Sequence, residues 1–131
     1  MQDRDMETQK CRVLFVEDEA AISMLIEDML LDLGVEVVGP VSRLKEAEEL
    51  ARTADLEAAV LDISLSGAHS YAVADVLAQR GIPIVFSTGY GVSALPERFR
   101  ATPLLQKPFS HQQFAEVLEA ALADAPCEIN A

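Results

Sequence analysis

The chain has 131 residues, half of them hydrophobic, and a formal net charge of -12. This length corresponds to one ordinary domain, and the composition is typical of a folded protein with a hydrophobic core. Such an acidic chain repels phosphate backbones and anionic lipid surfaces and contains no basic patch to offset this, which argues against a nucleic-acid or membrane partner.

The opening segment, residues 1–10, is polar and contains no apolar stretch of the kind found in signal peptides. No later run approaches the roughly 18 apolar residues that a membrane span needs. We therefore expect a cytoplasmic protein with a domain at residues 11–124 and tails at residues 1–10 and 125–131. Cys11 and Cys127 lie near opposite ends of the chain, outside any metal-ligand spacing, and are expected to be free thiols.

Short apolar runs alternate with amphipathic stretches of helical length, and this pattern is typical of a parallel sheet covered by helices. The sequence predicts five strands: Arg12 to Val16, Val35 to Gly39, Ala58 to Leu61, Ile82 to Ser87 and Pro103 to Leu105. The expected fold is α/β and flavodoxin-like, a doubly wound five-stranded parallel sheet in the order 2-1-3-4-5 with five helices.

Helical periodicity predicts a helix between the first two strands that ends at Gly34, where a left-handed residue fits. A second helix runs from Ser42 to about Thr53, and a third runs from about Ser70 to Gln79. The last helix opens at Ser110, which stands in capping-box spacing with Gln113. The segment 91–102 is bracketed by glycine and proline and has room for only about two turns, so the fourth helix should be short or mobile.

Polar residues follow four of the predicted strands at their carboxyl ends. Ligands bind at this edge of an open α/β sheet, where the strand order reverses, and here that point lies between the first and third strands. The residues at this edge are Glu17 and Asp18 after strand one, Asp62 after strand three, Thr88 after strand four and Lys107 after strand five.

The chemistry of this group favours phosphoryl transfer. Asp18 and Asp62, with Glu17 at their side, suit a Mg²⁺ ion, which takes oxygen ligands and is typically held by one or two carboxylates beside a phosphate. Lys107 adds a fixed positive charge, and Thr88 adds a hydroxyl. Asp62 is therefore the candidate nucleophile, which would accept a phosphoryl group as an acyl phosphate.

Single members of the group have other interpretations. Asp18 or Glu19 could cap the first helix, because carboxylates favour helix N-termini. Thr88 could satisfy backbone groups in a turn, and Lys107 could be a solvated surface lysine. Two histidines, His69 and His111, are expected to be exposed or capping residues rather than phosphocarriers.

The motifs VLFVEDE, AAVLDISLSG, PIVFSTGYG and LLQKPF resemble those of response-regulator receiver domains, the phosphorylatable modules of two-component signalling, over residues 11 to 124. The resemblance implies that Asp62 takes phosphate from a histidine kinase or a histidine phosphotransfer protein. It also implies that Asp18, Asp62 and the backbone carbonyl of Ser64 bind Mg²⁺, and that Glu17 assists through a water molecule.

In the same family pattern, Thr88 and Lys107 contact the phosphoryl oxygens, and the Lys107-Pro108 bond is cis. The usual aromatic switch residue is replaced by Leu104. The stretch FSTGYG resembles a receiver subclass written Phe-Ala-Thr-Gly-Tyr, with Ser87 in place of alanine. Tyr90 stands where a switch residue could act together with Thr88.

Other functions were weighed against this one. A Mg²⁺-dependent aspartyl-phosphate phosphatase of the haloacid-dehalogenase type needs a second acid two residues after the nucleophile, where this chain has Ser64. A flavin-binding module needs a phosphate loop after the first strand, where three acidic residues stand instead.

Within the receiver family, a stand-alone regulator with a protein target and a phosphate sink both remain open. Neither is an enzyme, because a receiver catalyses only its own phosphorylation and dephosphorylation. Output is expected through protein contact at the fourth and fifth strands and helices, with Gln112, Glu116 and Glu119 at the edge of the partner surface.

Overall fold

The computed structural model describes residues 9–65, 67–89 and 95–129. A five-stranded parallel sheet forms the centre. When its strands are numbered along the chain they lie in the order 2-1-3-4-5, which confirms the predicted fold class and strand order. The strands of the sheet are β1 (Arg12–Val16), β2 (Glu36–Val41), β3 (Ala58–Asp62), β6 (Ile84–Thr88) and β7 (Leu104–Gln106). A small antiparallel hairpin, β4 (Ser64–Leu65) with β5 (Ala68–His69), directly follows β3.

Within the described residues, four α-helices cover the sheet: α1 (Ala20–Asp32), α2 (Leu44–Thr53), α3 (Tyr71–Gln79) and α4 (His111–Ala121). Gly34 follows α1 with φ +78°, the left-handed conformation expected there. Ser110 and Gln113 form the predicted capping box of α4. In the predicted fourth-helix segment, the described residues 95–102 contain one 3-10 turn, Glu97–Phe99, and residues 91–94 lie outside the described part. None of the helices in the described ranges is long and apolar enough to cross a membrane.

The central strands are buried on both faces of the sheet, so alternate residues enter two different cores. Leu14 and Val16 pack with residues of α2 and α3, whereas Val13 and Phe15 pack with residues of α1 and α4. This arrangement leaves the carboxyl edge of the sheet as the place where the polar residues meet.

The expectation of two free thiols is wrong in this structure, because Cys11 and Cys127 form a disulfide with their Cα atoms 5.1 Å apart. The segment after α4 returns beside the start of β1. The backbone N–H of Glu128 donates to the carbonyl of Gln9 at 3.3 Å, and Lys10 and Glu128 form a parallel bridge. The two cysteines are 116 residues apart in the sequence, so no local pattern indicated that they lie close together.

The edge strand β2 carries a bulge opposite the end of β1. Leu14 pairs with Val38 and Val16 pairs with Val41, so β2 contains one residue more than its partner between these two pairs. Gly39 lies in the bulge with φ +118°, and a Cβ atom there would lie 2.6 Å from the carbonyl oxygen of Phe15. The bulge places the carbonyl of Val41 where it accepts the N–H of Glu17 at 2.9 Å.

Candidate functional site

Three carboxylates meet at the carboxyl edge of the sheet. Val16 pairs with Leu61, so β1 and β3 end side by side and bring Glu17 and Asp18 next to Asp62. Each of the three residues offers a carboxylate oxygen, and these oxygens all lie within 4.8 Å of one another. Glu17 and Asp62 are buried, whereas Asp18 is exposed. Like charges at this separation repel one another, so the cluster requires a compensating cation.

Lys107 supplies part of the compensation. Its ammonium nitrogen Nζ lies 2.9 Å from Oε1 of Glu17 and 3.2 Å from Oδ2 of Asp62. The lysine side chain is only 12% exposed, so solvent screens these contacts poorly. The ammonium group therefore offsets the charges of Glu17 and Asp62, two of the three clustered carboxylates.

The charges in the site change the proton affinities of two groups. The pKa of Glu17 is raised to about 7, and burial is the largest cause of this rise. The neighbouring Asp62 raises the pKa further, and Lys107 opposes the rise. Burial lowers the pKa of Lys107, but the hydrogen bond to Glu17 and the charge of Asp62 outweigh this effect, so the net pKa is raised. Lys107 therefore stays charged at neutral pH, whereas Glu17 can exchange a proton there.

The two carboxylate oxygens of Asp62 have different partners, a side chain for one and the backbone for the other. Oδ2 contacts Lys107, and Oδ1 accepts the backbone N–H of Ser64 at 3.3 Å. Thr88 is the last residue of β6, and its carbonyl accepts the backbone N–H of Lys107 at 2.7 Å. These bonds hold Asp62 and Lys107 together and join the backbone of Thr88 to that of Lys107.

A cavity of about 610 Å³ opens at that point. Asp62, Thr88 and Lys107 line its polar end, and it extends along one side of α1 to an apolar end. The residues of the apolar end are Ile22, Leu25, Ile26, Met29, Pro108 and Phe109. The site is thus reached through a groove with an apolar wall, and the Lys107-Pro108 bond at its margin is cis.

One supporting residue was not found from the sequence. Ser70 is fully buried, and its hydroxyl donates to the backbone carbonyl of Asp62 at 2.7 Å. The backbone N–H of Ser70 also donates to the carbonyl of Ile63 at 2.8 Å. The sequence pattern indicated only a helix start at Ser70, and no local signal distinguishes a serine that caps its helix from one that holds a neighbouring strand.

The predicted switch positions differ in what the structure shows. Leu104 lies in β7 opposite Phe86, and Tyr90 lies outside the described residues. Ser87, at the alanine position of the subclass motif, is fully buried, and its hydroxyl finds no hydrogen-bond partner within the described structure.

An aromatic group that the sequence reading missed lies beside β6. Phe99, from the 3-10 turn, has its ring 5.4 Å from that of Phe86 and 5.8 Å from that of Tyr71. Phe86 of β6 thus has aromatic contacts with the segment between β6 and β7 and, through Tyr71 at 6.1 Å, with α3.

The alternative roles weighed for single residues find little support in the geometry. Glu19 occupies the N-cap position of α1 but makes no side-chain capping hydrogen bond, and the carboxylate of Asp18 belongs to the acidic cluster. His69 is exposed, and its ring centroid lies 5.0 Å from that of Tyr71. His111 is exposed in the first turn of α4, as expected for a residue outside the phosphoryl chemistry.

The donor set fits a magnesium ion. Mg²⁺ prefers oxygen ligands and is bound by one or two carboxylates together with water, and Asp18 and Asp62 offer such oxygens at the mouth of the cavity. Both carboxylate oxygens of Glu17 have partners, Oε1 in Lys107 and Oε2 in the N–H of Glu19 at 3.3 Å. These contacts favour an indirect role for Glu17 over direct coordination.

A doubly wound sheet with acidic residues, a hydroxyl and a lysine at the carboxyl edge defines a receiver module. The family model described as "Response regulator receiver domain" matches residues 13–119, and the chain belongs to this family. Receiver domains are signalling phosphoacceptors of two-component systems, are phosphorylated by histidine kinases and bind Mg²⁺ at an acidic pocket.

Curated relatives and solved structures agree with this assignment. The transcriptional regulatory protein PdtaR of Mycobacterium tuberculosis is 34% identical over 116 residues, which cover 86% of this chain and 57% of PdtaR. The chain thus spans little more than half the length of the curated relatives that it matches.

Among solved structures, SdrG from Sphingomonas melonis Fr1 is 41% identical with a TM-score of 0.77, covering 87% of this chain and 97% of SdrG. The response regulator PhyR from Brucella abortus is 30% identical with a TM-score of 0.73, covering 89% of this chain and 49% of PhyR.

Proposed function

We propose that Asp62 is the phosphoacceptor of a response regulator and that it receives its phosphoryl group from a histidine kinase or a histidine phosphotransfer protein. The observation that carries this assignment is the position of Asp62, which contacts the ammonium group of Lys107 at 3.2 Å, belongs to the cluster of three carboxylates and lines the cavity.

The transfer is one displacement at phosphorus. A carboxylate oxygen of Asp62 forms a bond to phosphorus while the bond from phosphorus to the donor histidine nitrogen breaks, and the imidazole leaves with the electron pair and takes up a proton. The product is an acyl phosphate on Asp62. Lys107 contacts the phosphoryl oxygens and offsets their charge, and the hydroxyl of Thr88 contacts a second phosphoryl oxygen.

Asp18, Asp62 and the carbonyl of Ser64 would hold Mg²⁺, with Glu17 acting through a water molecule. When bound, the ion neutralises the charge that gathers on the phosphoryl oxygens during transfer. The protein residues provide the remaining functions, because Lys107 fixes Asp62 in position and the backbone N–H of Ser64 orients its other oxygen.

The donor protein should dock on the groove beside α1. The groove is continuous with the site, and Leu25 lines it while remaining 57% exposed, as suits the apolar face of a helical phosphohistidine domain. Output is proposed to pass through a protein contact that includes Gln112, Glu116 and Glu119, which are exposed on α4. We also propose that the chain belongs to the Phe-Ala-Thr-Gly-Tyr subclass of receivers and that it is located in the cytoplasm.

Intact mass after incubation with acetyl phosphate and Mg²⁺ tests the phosphoacceptor. We expect one added phosphoryl group, none in Asp62→Ala or in EDTA, and slower transfer in Asp18→Ala. The control is Asp55→Ala, which removes an exposed carboxylate away from the site and should behave as wild type. An unchanged wild-type mass with both acetyl phosphate and a phosphorylated histidine donor would show that Asp62 is not an acceptor.

A second comparison tests the docking groove. Leu25→Ser should slow transfer from a phosphohistidine protein at least about tenfold, the scale of one buried apolar contact, without changing transfer from acetyl phosphate. Leu31→Ser is the matched control, because Leu31 is 56% exposed on the same helix but does not line the groove. Equal slowing in both variants, or none in either, would place the docking surface elsewhere.

A further inference from the structure

The disulfide joins the two ends of the domain at the pole opposite the acidic site. Cys11 directly precedes β1, and Cys127 follows the last residue of α4 by six positions. Glu17 lies six positions after Cys11, so at about 3.3 Å per residue of strand the disulfide lies about 20 Å from the carboxylates. We therefore expect a change at the cysteines to leave the contacts of Lys107 with Glu17 and Asp62 in place.

Besides this bond, the carboxyl-terminal segment, residues 125–129, is held by side-chain packing and by few described backbone contacts. Ala125, Cys127 and Ile129 pack partly buried against the core on the α1 and α4 side. The described backbone contacts of the segment with the start of the chain are the Lys10 bridge and one hydrogen bond of 3.3 Å, from Glu128 to Gln9. Such a short segment with little regular pairing is at the low end of local stability unless it is covalently tied.

The two sulfur atoms differ in access to solvent. Cys11 is fully buried, whereas Cys127 is partly exposed. Thiol exchange requires a thiolate to reach one sulfur atom, so the burial of Cys11 directs attack to Cys127. A disulfide in a compartment that keeps thiols reduced is usually transient or redox-sensing, and cytoplasm is the expected location of this chain.

We propose that the Cys11–Cys127 bond is a redox-controlled latch that fixes the segment 125–129 against the start of β1. A dithiol reductant opens it: one thiolate attacks the sulfur of Cys127, the bond between the cysteines breaks, and Cys11 leaves as a thiolate that takes up a proton. The second thiol of the reductant then releases Cys127 as a thiol, and the reductant becomes a disulfide. The open latch frees the segment, and the protein gains a second input that is separate from phosphorylation.

The test uses the full chain equilibrated in buffers of varied ratio of reduced to oxidised glutathione, followed by alkylation and intact mass. The chain should pass from two free thiols to one disulfide within this series. On reduction, amide exchange of residues 125–129 should accelerate at least about tenfold. Phosphorylation by acetyl phosphate should change less than about twofold, because the site lies at the other pole.

Cys127→Ser is the matched variant, because it removes the half-exposed partner and leaves the buried Cys11 in place. It should show the fast exchange of the reduced protein in every buffer. A bond that never forms, or one that survives the most reducing buffer, would overturn the latch. Unchanged exchange of residues 125–129 on reduction, or a large change in phosphorylation rate, would also overturn it. Failure of phosphorylation in both redox states would count against the proposed function alone.

Discussion

Replacing Lys107 with methionine isolates what its charge does, because methionine keeps a long side chain and removes the ammonium group. In the variant, Glu17 and Asp62 lose contacts of 2.9 and 3.2 Å and lie beside Asp18 without the ammonium group. Removing one partner of a buried ion pair costs about 3–5 kcal/mol when the remaining charge stays ionised. That range is the upper limit for this substitution.

Protonation of Glu17 lowers the cost. Its pKa is already about 7, chiefly through burial, and loss of Lys107 removes the group that opposes the rise. At pH 6 most of the Glu17 carboxyl is protonated, so the loss comes chiefly from the contact with Asp62, and the expected fall in unfolding free energy is about 1 kcal/mol. At pH 8 the Glu17 carboxyl of the wild-type protein is ionised. In the variant this carboxyl must either bind a proton, which is unfavourable at pH 8, or remain charged beside Asp62, so the expected loss of unfolding free energy is about 2 kcal/mol.

Urea unfolding in EDTA at pH 6 and pH 8 measures both values. Lys45→Met is the control, because Lys45 is exposed on α2 and away from the acidic cluster, and it should change stability by less than about 0.5 kcal/mol. Added Mg²⁺ should restore part of the loss at pH 8, because the ion offsets the same charges. A loss that is equal at the two pH values, or no larger than that of the control, would refute the view that Lys107 neutralises this cluster.

Two further predictions concern titration and switching. The folded-state pKa of Glu17, about 7, lies above its ordinary value of 4.5. Between these two pH values the folded state therefore binds more protons than the unfolded state. As the pH rises through this window, Glu17 lowers the stability of the metal-free protein by up to about 3 kcal/mol. Mg²⁺ should bind more tightly when Glu17 is ionised, so its affinity measured by calorimetric titration should rise with pH up to about 7 and then level off. An affinity that does not change with pH would mean that Mg²⁺ binding is not coupled to the protonation of Glu17. Beryllium fluoride with Mg²⁺ should slow amide exchange of residues 95–102, because Thr88 lies in β6 and Phe99 of that segment packs on Phe86 of the same strand. Equal exchange with and without the phosphate mimic would exclude this segment from the switch.

Most of the fold could be predicted because local signals agree with the tertiary structure. Each strand of the central sheet was placed within two residues of its observed ends, and Gly34 and the Ser110–Gln113 box mark helix ends as expected. Strand β2 was ended too early because a Gly-Pro pair usually breaks a strand. An edge strand tolerates proline at a bulge, so β2 continues through it to Val41. The hairpin β4–β5 was missed because two-residue strands are too short to show periodicity.

The site was also predictable to a large extent, because residues at strand ends need only the strand order to be brought together. Asp62, Lys107 and Glu17 are neighbours for this reason. Contacts that depend on the path of the chain outside the sheet could not be predicted. Ser70 reaches the carbonyl of Asp62 from the start of α3, and Cys127 reaches Cys11 from beyond α4.

The bulge at Gly39 links the acidic site to a strand that carries none of its reactive groups. Any side chain at position 39 would meet the carbonyl oxygen of Phe15, and the bulge sets the carbonyl that holds the backbone of Glu17. In a library of random variants, functional sequences should therefore retain glycine at position 39, although this residue has no reactive side chain in the site. If the acidic motif of this chain were grafted onto another parallel sheet, the irregular edge strand would have to be transferred with it. The reason is that the carbonyl of Val41 in this strand orients the backbone of Glu17.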